Sequence, residues 1–449
     1  MSVLDILKKE NFSIGVFGLG KSNLGILDYL KRKNFNFKLT VRSDKPIDTI
    51  PTEAARVLVG NNALLDINED VLFLSPSVRR DREEITKAIK RGTVISSDAE
   101  LFFESTETEH ICITGSDGKS TTTRLISDVL SASGISAVPA GNYGRSLCSL
   151  IDTKNVPVVE LSSFQLNYFT PSVFRAVITN ITPNHLNWHL SLEEYVKAKM
   201  NVTKKAKAII YDSDCDLIDN ELKETYAFSK TSLSESYESL KAKGGAENYV
   251  TFKNGIIYAN GSPFIDITNA KKKEPYTIRN FLLATAATFD ICKADRIEKA
   301  LLSFSGLPHR AELVLSSGGI EYINSSIDSS PERTLKTLSA ISGSIIVIIG
   351  GMGKGLSLDA LADALPYLTR GAVLLGGVGD ALANILSSKS KGYNFLVATD
   401  MRDAVIKARE MVEEPSSVVL SPAATSFDSY KNFEERGNDF KRIVLSLHA

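Results

Sequence analysis

One segment constrains the fold of this chain more than any other: a strand-like run at 110–114, a glycine-containing turn, and a helix-like stretch that ends near Gly134. The turn reads Gly-Ser-Asp-Gly-Lys-Ser over residues 115–120. Backbone N–H groups in such a turn bind oxyanions, the lysine reaches terminal phosphates, and the serine contacts Mg²⁺. Ile113 replaces the first glycine of the full eight-residue pattern. The segment still predicts a nucleotide-binding loop on a strand–helix unit.

Short apolar runs alternate with helix-like stretches along the rest of the chain, which is typical of an α/β protein with mainly parallel sheets. Hairpins are predicted at Asn254-Gly255 and at Gly318-Gly319. Ser330-Pro331 predicts the start of a helix, with serine at the N-cap. The predicted strands are 13–17, 37–41, 71–74, 110–114, 156–160, 175–181, 207–211, 312–315, 320–324, 344–349, 372–375, 395–397 and 417–420.

The length of 449 residues predicts two to four domains, and we expect three. A polar stretch at 105–109 and the turn residues at 306–308 mark the boundaries. The expected domains are 1–107, a Rossmann-like unit; 108–306, a central phosphate-loop ATPase-type unit; and 307–449, a second Rossmann-like unit.

The charge balance excludes a strong global attraction to nucleic acid or to an anionic membrane, because 52 basic residues face 53 acidic ones. The aliphatic runs are far shorter than a membrane span, and the N-terminus lacks the pattern of a signal peptide. The four cysteines form no CxxC pair. We therefore expect a cytoplasmic protein without membrane insertion, zinc site or disulfide framework.

A second glycine turn follows the first predicted strand at Gly18 and Gly20. Asn23 replaces the third glycine of the dinucleotide fingerprint. Arg42 ends the next strand, where a NAD site needs an acid for the ribose hydroxyls. The pattern favours a phosphate-bearing nucleotide or nucleotide sugar over NAD, and the alternative is a structural turn without a ligand.

Two polar residues follow strands of the central region. Glu160 closes the apolar run at 156–160, and His185 follows the run at 175–181. Groups at the carboxyl ends of parallel strands lie beside the crevice where these sheets bind ligands. Glu160 is therefore a candidate Mg²⁺ ligand and His185 a ligand or proton carrier; the alternatives are a solvated acid and a structural histidine.

An ordered series of motifs covers nearly the whole chain and resembles the Mur ligases of peptidoglycan synthesis. The motifs are Gly-Ser-Asp-Gly-Lys-Ser at 115–120, Gly-Asn-Tyr-Gly at 141–144, Glu-Leu-Ser-Ser-Phe-Gln-Leu at 160–166, Asn-Ile-Thr-Pro-Asn-His-Leu at 180–186, Tyr-Val-Lys-Ala-Lys at 195–199, Leu-Pro-His-Arg at 307–310, and Ser-Phe-Asp and Asn-Phe-Glu-Glu-Arg-Gly at 426–428 and 432–437.

The resemblance implies an ATP- and Mg²⁺-dependent enzyme that forms an amide bond through an acyl phosphate. The 160–166 segment and the C-terminal motifs resemble the branch that adds D-glutamate to UDP-N-acetylmuramoyl-L-alanine. We expect a monomer. Three alternatives stay open: a Mur ligase for another amino acid, a ligase like folylpolyglutamate synthase, and a nucleotide-binding regulator without catalysis.

The resemblance also implies roles for individual residues, with Lys199 as a carbamylated lysine among the metal ligands. The catalytic group is Lys119, Glu160, His185 and Lys199, and the metal ligands are Ser120, Glu160, His185 and Lys199. The ATP contacts are Gly115, Ser116, Asp117, Gly118, Lys119, Ser120, Thr121, Asn280, Arg310 and Ser325. The UDP-substrate contacts are Gly18, Gly20, Lys21, Ser22, Arg42, Ser75 and Asn142, and the D-glutamate contacts are Ser329, Lys354, Ser426, Phe427 and Phe433.

Several positions depart from the family pattern. Ser325 stands where an aspartate facing the nucleotide is common, and the loop before Lys354 lacks the acid often found there. Because of these departures, a catalytically inactive nucleotide-binding regulator stays open as an alternative. The positions are Ser77, Asn187, Thr277, Ser325, Met352 and Gly353.

Overall fold

The computed structural model describes residues 2–47, 50–106, 110–353, 355–390, 392–413, 415–426 and 428–448. The chain forms two compact units, Met1–Phe304 and Ser305–Ala449. Two sheets lie in the first unit and one in the second, and each combines parallel strands with helices. The predicted α/β class is confirmed. The boundary expected at 107–108 lies outside the described residues.

The first sheet has five parallel strands in the order β3-β2-β1-β4-β5. Its buried strand residues, such as Ile14, Val41 and Phe73, pack against helices that cover the sheet. The elements are α1 (Val3–Leu7), β1 (Phe12–Phe17), α2 (Lys21–Arg32), β2 (Phe37–Ser43), β3 (Ala54–Val59), β4 (Val71–Leu74), α3 (Glu83–Arg91), β5 (Val94–Ser96) and α4 (Asp98–Ser105).

The second sheet has nine strands in the order β14-β13-β12-β11-β10-β9-β6-β8-β7. Only the β12–β13–β14 end is antiparallel, and it includes the predicted hairpin at Asn254-Gly255. The elements are β6 (Ile111–Thr114), α5 (Lys119–Ala132), β7 (Ala137–Gly141), a 3₁₀ turn (Cys148–Leu150), β8 (Val156–Glu160), α6 (Ser163–Leu166), β9 (Val173–Ile178), α7 (Leu186–His189), α8 (Leu192–Met200), β10 (Ala206–Asp212), α9 (Asp216–Leu222), β11 (Ala227–Ser232), α10 (Tyr237–Lys243), β12 (Ala246–Lys253), β13 (Ile256–Ala259), β14 (Ser262–Asp266), α11 (Pro275–Thr288) and α12 (Ala294–Ser303).

The sheet of the second unit has the order β15-β16-β20-β17-β18-β19, with only the β15–β16 pair antiparallel. Ser330 takes the predicted N-cap position of α13, but its side chain makes no capping hydrogen bond. The elements are β15 (Glu312–Ser317), β16 (Ile320–Asn324), α13 (Pro331–Ala340), β17 (Ser344–Gly350), α14 (Asp359–Leu368), β18 (Gly371–Leu375), α15 (Gly376–Lys389), β19 (Phe395–Val397), α16 (Met401–Glu410), β20 (Ser416–Leu420) and α17 (Phe433–Ser446).

The order of the second sheet explains where the candidate catalytic residues lie. Strand β6 runs between β9 and β8, parallel to both, so the carboxyl ends of all three strands share one edge. The predicted phosphate loop follows β6, Glu160 ends β8, and the 179–185 segment follows β9. Across the described ranges, no helix combines the length and apolar character that crossing a membrane would require.

Candidate active site

The central glycine turn connects β6 to α5 and is packed tightly on two sides. Gly115 and Gly118 have φ angles of 145° and 80°, in the region that favours glycine. A Cβ atom on Gly115 would lie 1.9 Å from Thr179 Oγ1, and one on Gly118 would lie 2.4 Å from Asn280 Oδ1. The turn therefore requires glycine at both positions, for its backbone conformation and for its neighbours.

Ser116 holds the turn against the segment after β9. Its N–H donates to the carbonyl of Asn180 at 2.8 Å, and its hydroxyl donates to the carbonyl of Thr182 at 3.0 Å. The hydroxyl also lies 2.7 Å from the Tyr195 hydroxyl. The N–H and the hydroxyl of Ser116 therefore both bond within the protein, and its predicted ATP contact stays a prediction. The N–H of Asp117 donates to the Asn180 side chain in the same way.

Two lysine side chains converge on one carbonyl oxygen of the turn. Lys119 Nζ lies 2.9 Å from the carbonyl oxygen of Gly115 and 2.7 Å from that of Ser116. Lys199 Nζ, on α8, lies 2.5 Å from the same Gly115 oxygen and is buried. Burial lowers the pKa of the Lys199 amine well below its ordinary value, and the nearby positive charge of Lys119 lowers it further.

Glu160 lies at the carboxyl end of β8, and its side chain is only 1% exposed. Asn142 donates from Nδ2 to Glu160 Oε1 at 2.7 Å, while Oε2 has no hydrogen-bond partner among the described residues. A buried carboxylate oxygen without a partner costs free energy unless something else binds it. Oxygen is the ligand that Mg²⁺ prefers, so this atom fits a magnesium ion.

The metal prediction rests on a mixed set of ligands and not on a carboxylate cluster. Within the described residues, no group of three or more His, Cys, Asp and Glu side chains is arranged to hold a metal. Ser120 is half-buried in the first turn of α5. Mg²⁺ keeps several waters and is commonly bound by one or two carboxylates together with substrate phosphates. The absence of a cluster is therefore compatible with Mg²⁺ that binds together with ATP.

His185 precedes the short helix α7 in the left-handed region, with a φ of 54°. Its ring is 4.9 Å from that of Phe164, centroid to centroid. His189 is buried, and its ring also contacts that of Phe164, at 5.7 Å between centroids. Ser163 Oγ lies 2.9 Å from His189 Nε2, and Nδ1 has no partner among the described residues. Burial lowers the pKa of His189 to about 4, so this ring is neutral at physiological pH. Sequence reasoning gave His189 no role, since one histidine on a short helix carries no motif of its own.

Asn280 contributes to the turn through its packing. Its Oδ1 accepts a hydrogen bond from Thr122 Oγ1 at 3.1 Å, and its Nδ2 donates to the carbonyl of Tyr276 at 2.8 Å. The side chain also fills the space beside Gly118. Asn280 therefore fixes α11 against the start of α5, which supports the loop conformation. Thr121 is half-buried one position before Thr122.

The glycine turn of the first sheet is packed and hydrogen-bonded by two nearby side chains, those of Ser75 and Asn23. Gly18 has a φ of 82°, and a Cβ there would lie 2.7 Å from Ser75 Oγ, which in turn donates to the carbonyl of Phe17 at 2.8 Å. Asn23 donates from Nδ2 to the carbonyls of Phe17 and Gly18 at 3.0 and 2.8 Å. Asn23 thus stabilises the turn at the position where the dinucleotide fingerprint has glycine. Gly20 begins the helix as its N-cap and is exposed.

Arg42 was predicted as a nucleotide contact, and that role stays a prediction; in this structure its side chain bonds within the protein. Its side chain is 1% exposed, and it forms a salt bridge of 2.8 Å with Glu69, which is also buried. The guanidinium also donates to the carbonyls of three residues in the 63–66 segment. The end of β2 therefore carries a structural ion pair, because the segment before β4 places the Glu69 carboxylate next to the arginine.

Lys21 and Ser22 follow the first turn and bond to other parts of the same unit. Lys21 Nζ donates to the carbonyls of Gly141 and Gly144, both at 2.9 Å. The Ser22 hydroxyl hydrogen-bonds to Asp98, a buried carboxyl whose pKa burial raises. Lys21 therefore anchors the segment that holds Asn142 beside Glu160.

Two predicted D-glutamate residues of the second unit, Lys354 and Phe427, lie outside the described residues. Ser426 is 2% exposed and follows β20. Phe433 begins α17, and its carbonyl accepts a hydrogen bond from Ser326 Oγ at 2.8 Å. Ser329 is half-buried between β16 and α13, and Arg310 is exposed.

Ser325 has a structural role. Its side chain is fully buried, its Oγ accepts a hydrogen bond from the N–H of Ala311 at 3.2 Å, and its own N–H donates to the carbonyl of Leu420 at 2.8 Å. The Ser325 hydroxyl is therefore buried and bonded within the protein, and its predicted ATP contact stays a prediction.

Arg436 connects the loops at the carboxyl edge of the third sheet, and sequence reasoning missed it. It is 2% exposed and donates to the Ser326 hydroxyl and to the carbonyls of Ser326, Gly350, Ala424 and Thr425. Burial lowers its pKa to about 10. One guanidinium thus fixes the loops after β16, β17 and β20, and its place in the Asn-Phe-Glu-Glu-Arg-Gly motif was the available signal.

Comparisons with known proteins agree with this arrangement. Residues 113–288 match the family model described as the Mur ligase middle domain. A UDP-N-acetylmuramoylalanine–D-glutamate ligase from Acetivibrio thermocellus is 34% identical, with 99% of each chain covered. The chain belongs to the Mur ligase family. The enzyme of the same name from Clostridium botulinum is 33% identical over 97% of this chain and 96% of its own.

Solved structures show the same fold for this Mur ligase. A UDP-N-acetylmuramate–alanine ligase from Thermotoga maritima aligns with a TM-score of 0.60 at 16% identity, covering 97% of this chain and all of its own. A UDP-N-acetylmuramoyl-L-alanyl-D-glutamate–2,6-diaminopimelate ligase aligns with a TM-score of 0.54 at 13% identity, covering 95% and 90%. At these identities the likeness supports the fold alone.

Proposed function

We propose that this Mur ligase uses ATP to join the carboxylate of UDP-N-acetylmuramoyl-L-alanine to the amine of D-glutamate. Support comes from the relatives named for this reaction, which match almost the full chain at 32–34% identity. The same relatives favour D-glutamate over the other amino acids and over a folyl substrate. The retained Lys119, Glu160, His185 and Lys199 argue against a regulator without catalysis.

The observation that carries the proposal is the convergence of charge at the end of β6. The buried Glu160 has an oxygen without a partner among the described residues, and two lysine nitrogens share the carbonyl oxygen of Gly115. A turn that served structure alone would not need two amines and a buried acid at one edge. Phosphoryl transfer needs this combination, because negative charge is spread over the transferring oxygens.

The reaction has two steps, and the chain's own residues position both. First, an oxygen of the alanyl carboxylate attacks the γ-phosphorus of ATP, and ADP leaves. Then the D-glutamate amine attacks the carbonyl carbon of the acyl phosphate, loses a proton, and displaces inorganic phosphate. Lys119, whose Nζ donates to the carbonyls of Gly115 and Ser116 in the loop, stabilises charge on the transferring phosphoryl group.

Ser120, Glu160, His185 and a modified Lys199 would hold Mg²⁺, which would neutralise phosphate charge when bound. The lowered pKa of Lys199 keeps an uncharged amine present, and only that form can react with CO₂ to give a carbamate. A carbamate would replace the buried amine with an anion among the metal ligands. It would also relieve the repulsion between Lys199 and Lys119 at the Gly115 carbonyl.

The remaining residues divide between the two other substrates. We assign the turn at Gly18 and Gly20, with Lys21, Ser22, Ser75 and Asn142, to the UDP-substrate. We assign Ser329, Lys354, Ser426, Phe427 and Phe433 to D-glutamate. Arg42, whose guanidinium bonds to Glu69, stays a predicted contact of the UDP-substrate. Ser325 and Ser116, whose hydroxyls bond within the protein, stay predicted ATP contacts. Arg310 stays in the proposal as an exposed ATP contact.

The proposal is tested by identifying the product. The protein is incubated with ATP, Mg²⁺ and UDP-N-acetylmuramoyl-L-alanine, and in separate reactions with D-glutamate, L-alanine, L-lysine or glutamyl-folate. We expect one new product, with the mass of the D-glutamyl adduct, and phosphate release that depends on D-glutamate. Equal phosphate release with another amino acid, or no adduct at all, would reject the assignment.

The role of Lys199 has a separate test. Lys199→Ala removes the amine, so we expect nearly complete loss of turnover, and partial recovery when a short carboxylic acid is added to the buffer. Lys197→Ala, two positions earlier on the same helix and exposed, is the matched control. Full activity of Lys199→Ala, or a loss that no carboxylic acid reverses, would count against a carbamate.

A further inference from the structure

Trp188 is the single tryptophan of the chain and follows His185 within the short helix α7. Its indole Nε1–H donates to the carbonyl oxygen of Ser77 at 2.7 Å. Ser77 lies two residues after Ser75, in the loop that follows β4 of the first sheet. The indole therefore connects the 75–77 loop to the segment that carries His185.

Arg79 strengthens the same connection from the side of the first sheet. Its guanidinium carbon lies 5.1 Å from the centre of the Trp188 ring, and Nη1 donates to the backbone carbonyl of Trp188. The same nitrogen is 3.3 Å from Glu194 Oε1, on the helix that also carries Lys199. Stacking and hydrogen bonds from one arginine thus fix both the ring and the backbone of Trp188.

The indole also contacts aromatic residues near the candidate metal ligand His185. The ring centroid of Trp188 lies 4.7 Å from that of Phe164 and 4.5 Å from that of His189. Phe164 in turn contacts the His185 ring at 4.9 Å. A displacement of the 75–79 loop would therefore move Trp188, and the packed rings would pass that movement to His185.

We propose that Trp188, held by Arg79 and the Ser77 carbonyl, is a positioning residue that couples binding of the UDP-substrate at the 75–77 loop to the orientation of His185. This inference rests on the proposed function, because it assumes that Ser75 contacts that substrate. Trp188 itself need not touch any reacting atom. It acts through the loop on one side and through Phe164 on the other.

The first test is kinetic and uses Trp188→Phe, which keeps a stacking ring but removes the indole N–H. The Ser77 carbonyl loses its donor, so we expect KM for the UDP-substrate to rise about 3- to 10-fold, the usual worth of one such hydrogen bond. KM for ATP should stay within about 2-fold, since the Gly115–Lys119 contacts are untouched. Tyr226→Phe, an exposed aromatic change in the same unit, is the matched control.

The second test uses the unmodified protein, so it does not depend on the folding of a variant. The chain has one tryptophan and 14 tyrosines, so fluorescence excited at the red edge of the indole band, where tyrosine does not absorb, reports Trp188 alone. We expect emission to change on titration with UDP-N-acetylmuramoyl-L-alanine.

The outcomes separate this inference from the proposed function. Unchanged fluorescence while calorimetry shows the UDP-substrate bound, or equal KM values for active Trp188→Phe and the unmodified protein, would overturn the inference. A parallel rise in KM for the UDP-substrate and KM for ATP would mean that Trp188 serves only the fold. That result would also overturn the inference. If the unmodified protein forms no D-glutamyl product, the proposed function fails, and the fluorescence titration still decides whether Trp188 senses the UDP-substrate.

Discussion

Two turns in this chain carry the same tripeptide, Gly-Lys-Ser, at the start of a helix, yet they hold the lysine differently. Gly20 begins α2 with an extended backbone, whereas Gly118 begins α5 with a φ of 80°. Lys21 Nζ reaches out of its turn to the carbonyls of Gly141 and Gly144. Lys119 Nζ folds back onto the carbonyls of its own turn, at Gly115 and Ser116.

The surroundings of the two turns differ as much as their backbones. The first turn is closed by a neutral amide, Asn23, and the nearby Arg42 is neutralised by Glu69. At the central turn, Lys199 adds a second amine, and Glu160 adds a buried oxygen without a partner among the described residues. The tripeptide alone therefore does not identify a catalytic phosphate site. The charges that neighbouring strands bring to the turn distinguish the two.

The largest expected effect comes from breaking the ion pair beside the first turn. Arg42→Ala leaves Glu69 buried without its partner, so the free energy of unfolding should fall by about 3–5 kcal/mol. Urea denaturation measures this loss. A double variant, Arg42→Met with Glu69→Leu, removes both charges and should regain most of the stability. If Arg42→Ala instead keeps full stability and raises only KM for the UDP-substrate, Arg42 is a nucleotide contact after all.

The two lysines give the next largest effect and compare the turns directly. Lys119→Ala should lower kcat by roughly 10²- to 10³-fold, the usual loss when a group that stabilises transition-state charge is removed. Lys21→Ala should lower kcat by less than about 10-fold, because Lys21 orients the 141–144 segment and does not face the central turn. Steady-state kinetics with circular dichroism as a folding control would check both. Similar losses in the two variants would remove the distinction between the turns.

The smallest expected effect concerns the strand that leads into the central turn. His110 precedes β6, is 1% exposed, and its Nδ1 lacks a hydrogen-bond partner among the residues the structure describes. Burial lowers its pKa to about 4, so the unfolded chain takes up a proton that the folded protein refuses as pH falls below 6.5. The stability that depends on neutral His110 is therefore complete above pH 6.5 and lost toward pH 4, about 2 kcal/mol at pH 5.

His110→Phe should make the protein less sensitive to acid, since phenylalanine can pack against Phe102 and Phe103 without titrating. The measurement is the free energy of unfolding at pH 8 and pH 5 for both proteins. If the free energy of unfolding of His110→Phe falls with pH as much as that of the unmodified protein, protonation of His110 does not cause the loss of stability in acid.

Buried strands were the most predictable part of the fold. Runs such as 71–74 and 156–160 are continuous and apolar, and their strands are confirmed with the predicted bounds. The Ala54–Val59 strand was missed: it lies at a sheet edge, none of its residues is buried, and Arg56 interrupts its apolar residues. The Ala137–Gly141 strand was missed for a similar reason: it is also an edge strand, and Pro139 interrupts its pattern.

The positions of the candidate site residues were predictable where they depend on local sequence. The turn at 115–120 and the position of Glu160 depend on residues next to a strand end, so the motifs sufficed. The ion pair between Arg42 and Glu69 was not predicted, because the two residues are 27 positions apart and no pattern connects them. Arg436 was missed because its acceptors are mostly backbone carbonyls, which have no sequence signature.

The central claim is that the central turn transfers a phosphoryl group to a carboxylate, and an isotope label tests it most directly. UDP-N-acetylmuramoyl-L-alanine with ¹⁸O in its alanyl carboxylate is incubated with ATP, Mg²⁺, D-glutamate and the protein. We expect each inorganic phosphate released to carry one ¹⁸O from the carboxylate, and we expect Lys119→Ala to slow this transfer in step with turnover. If the amide product forms while the released phosphate carries no ¹⁸O, the carboxylate is not phosphorylated and the proposed mechanism is wrong.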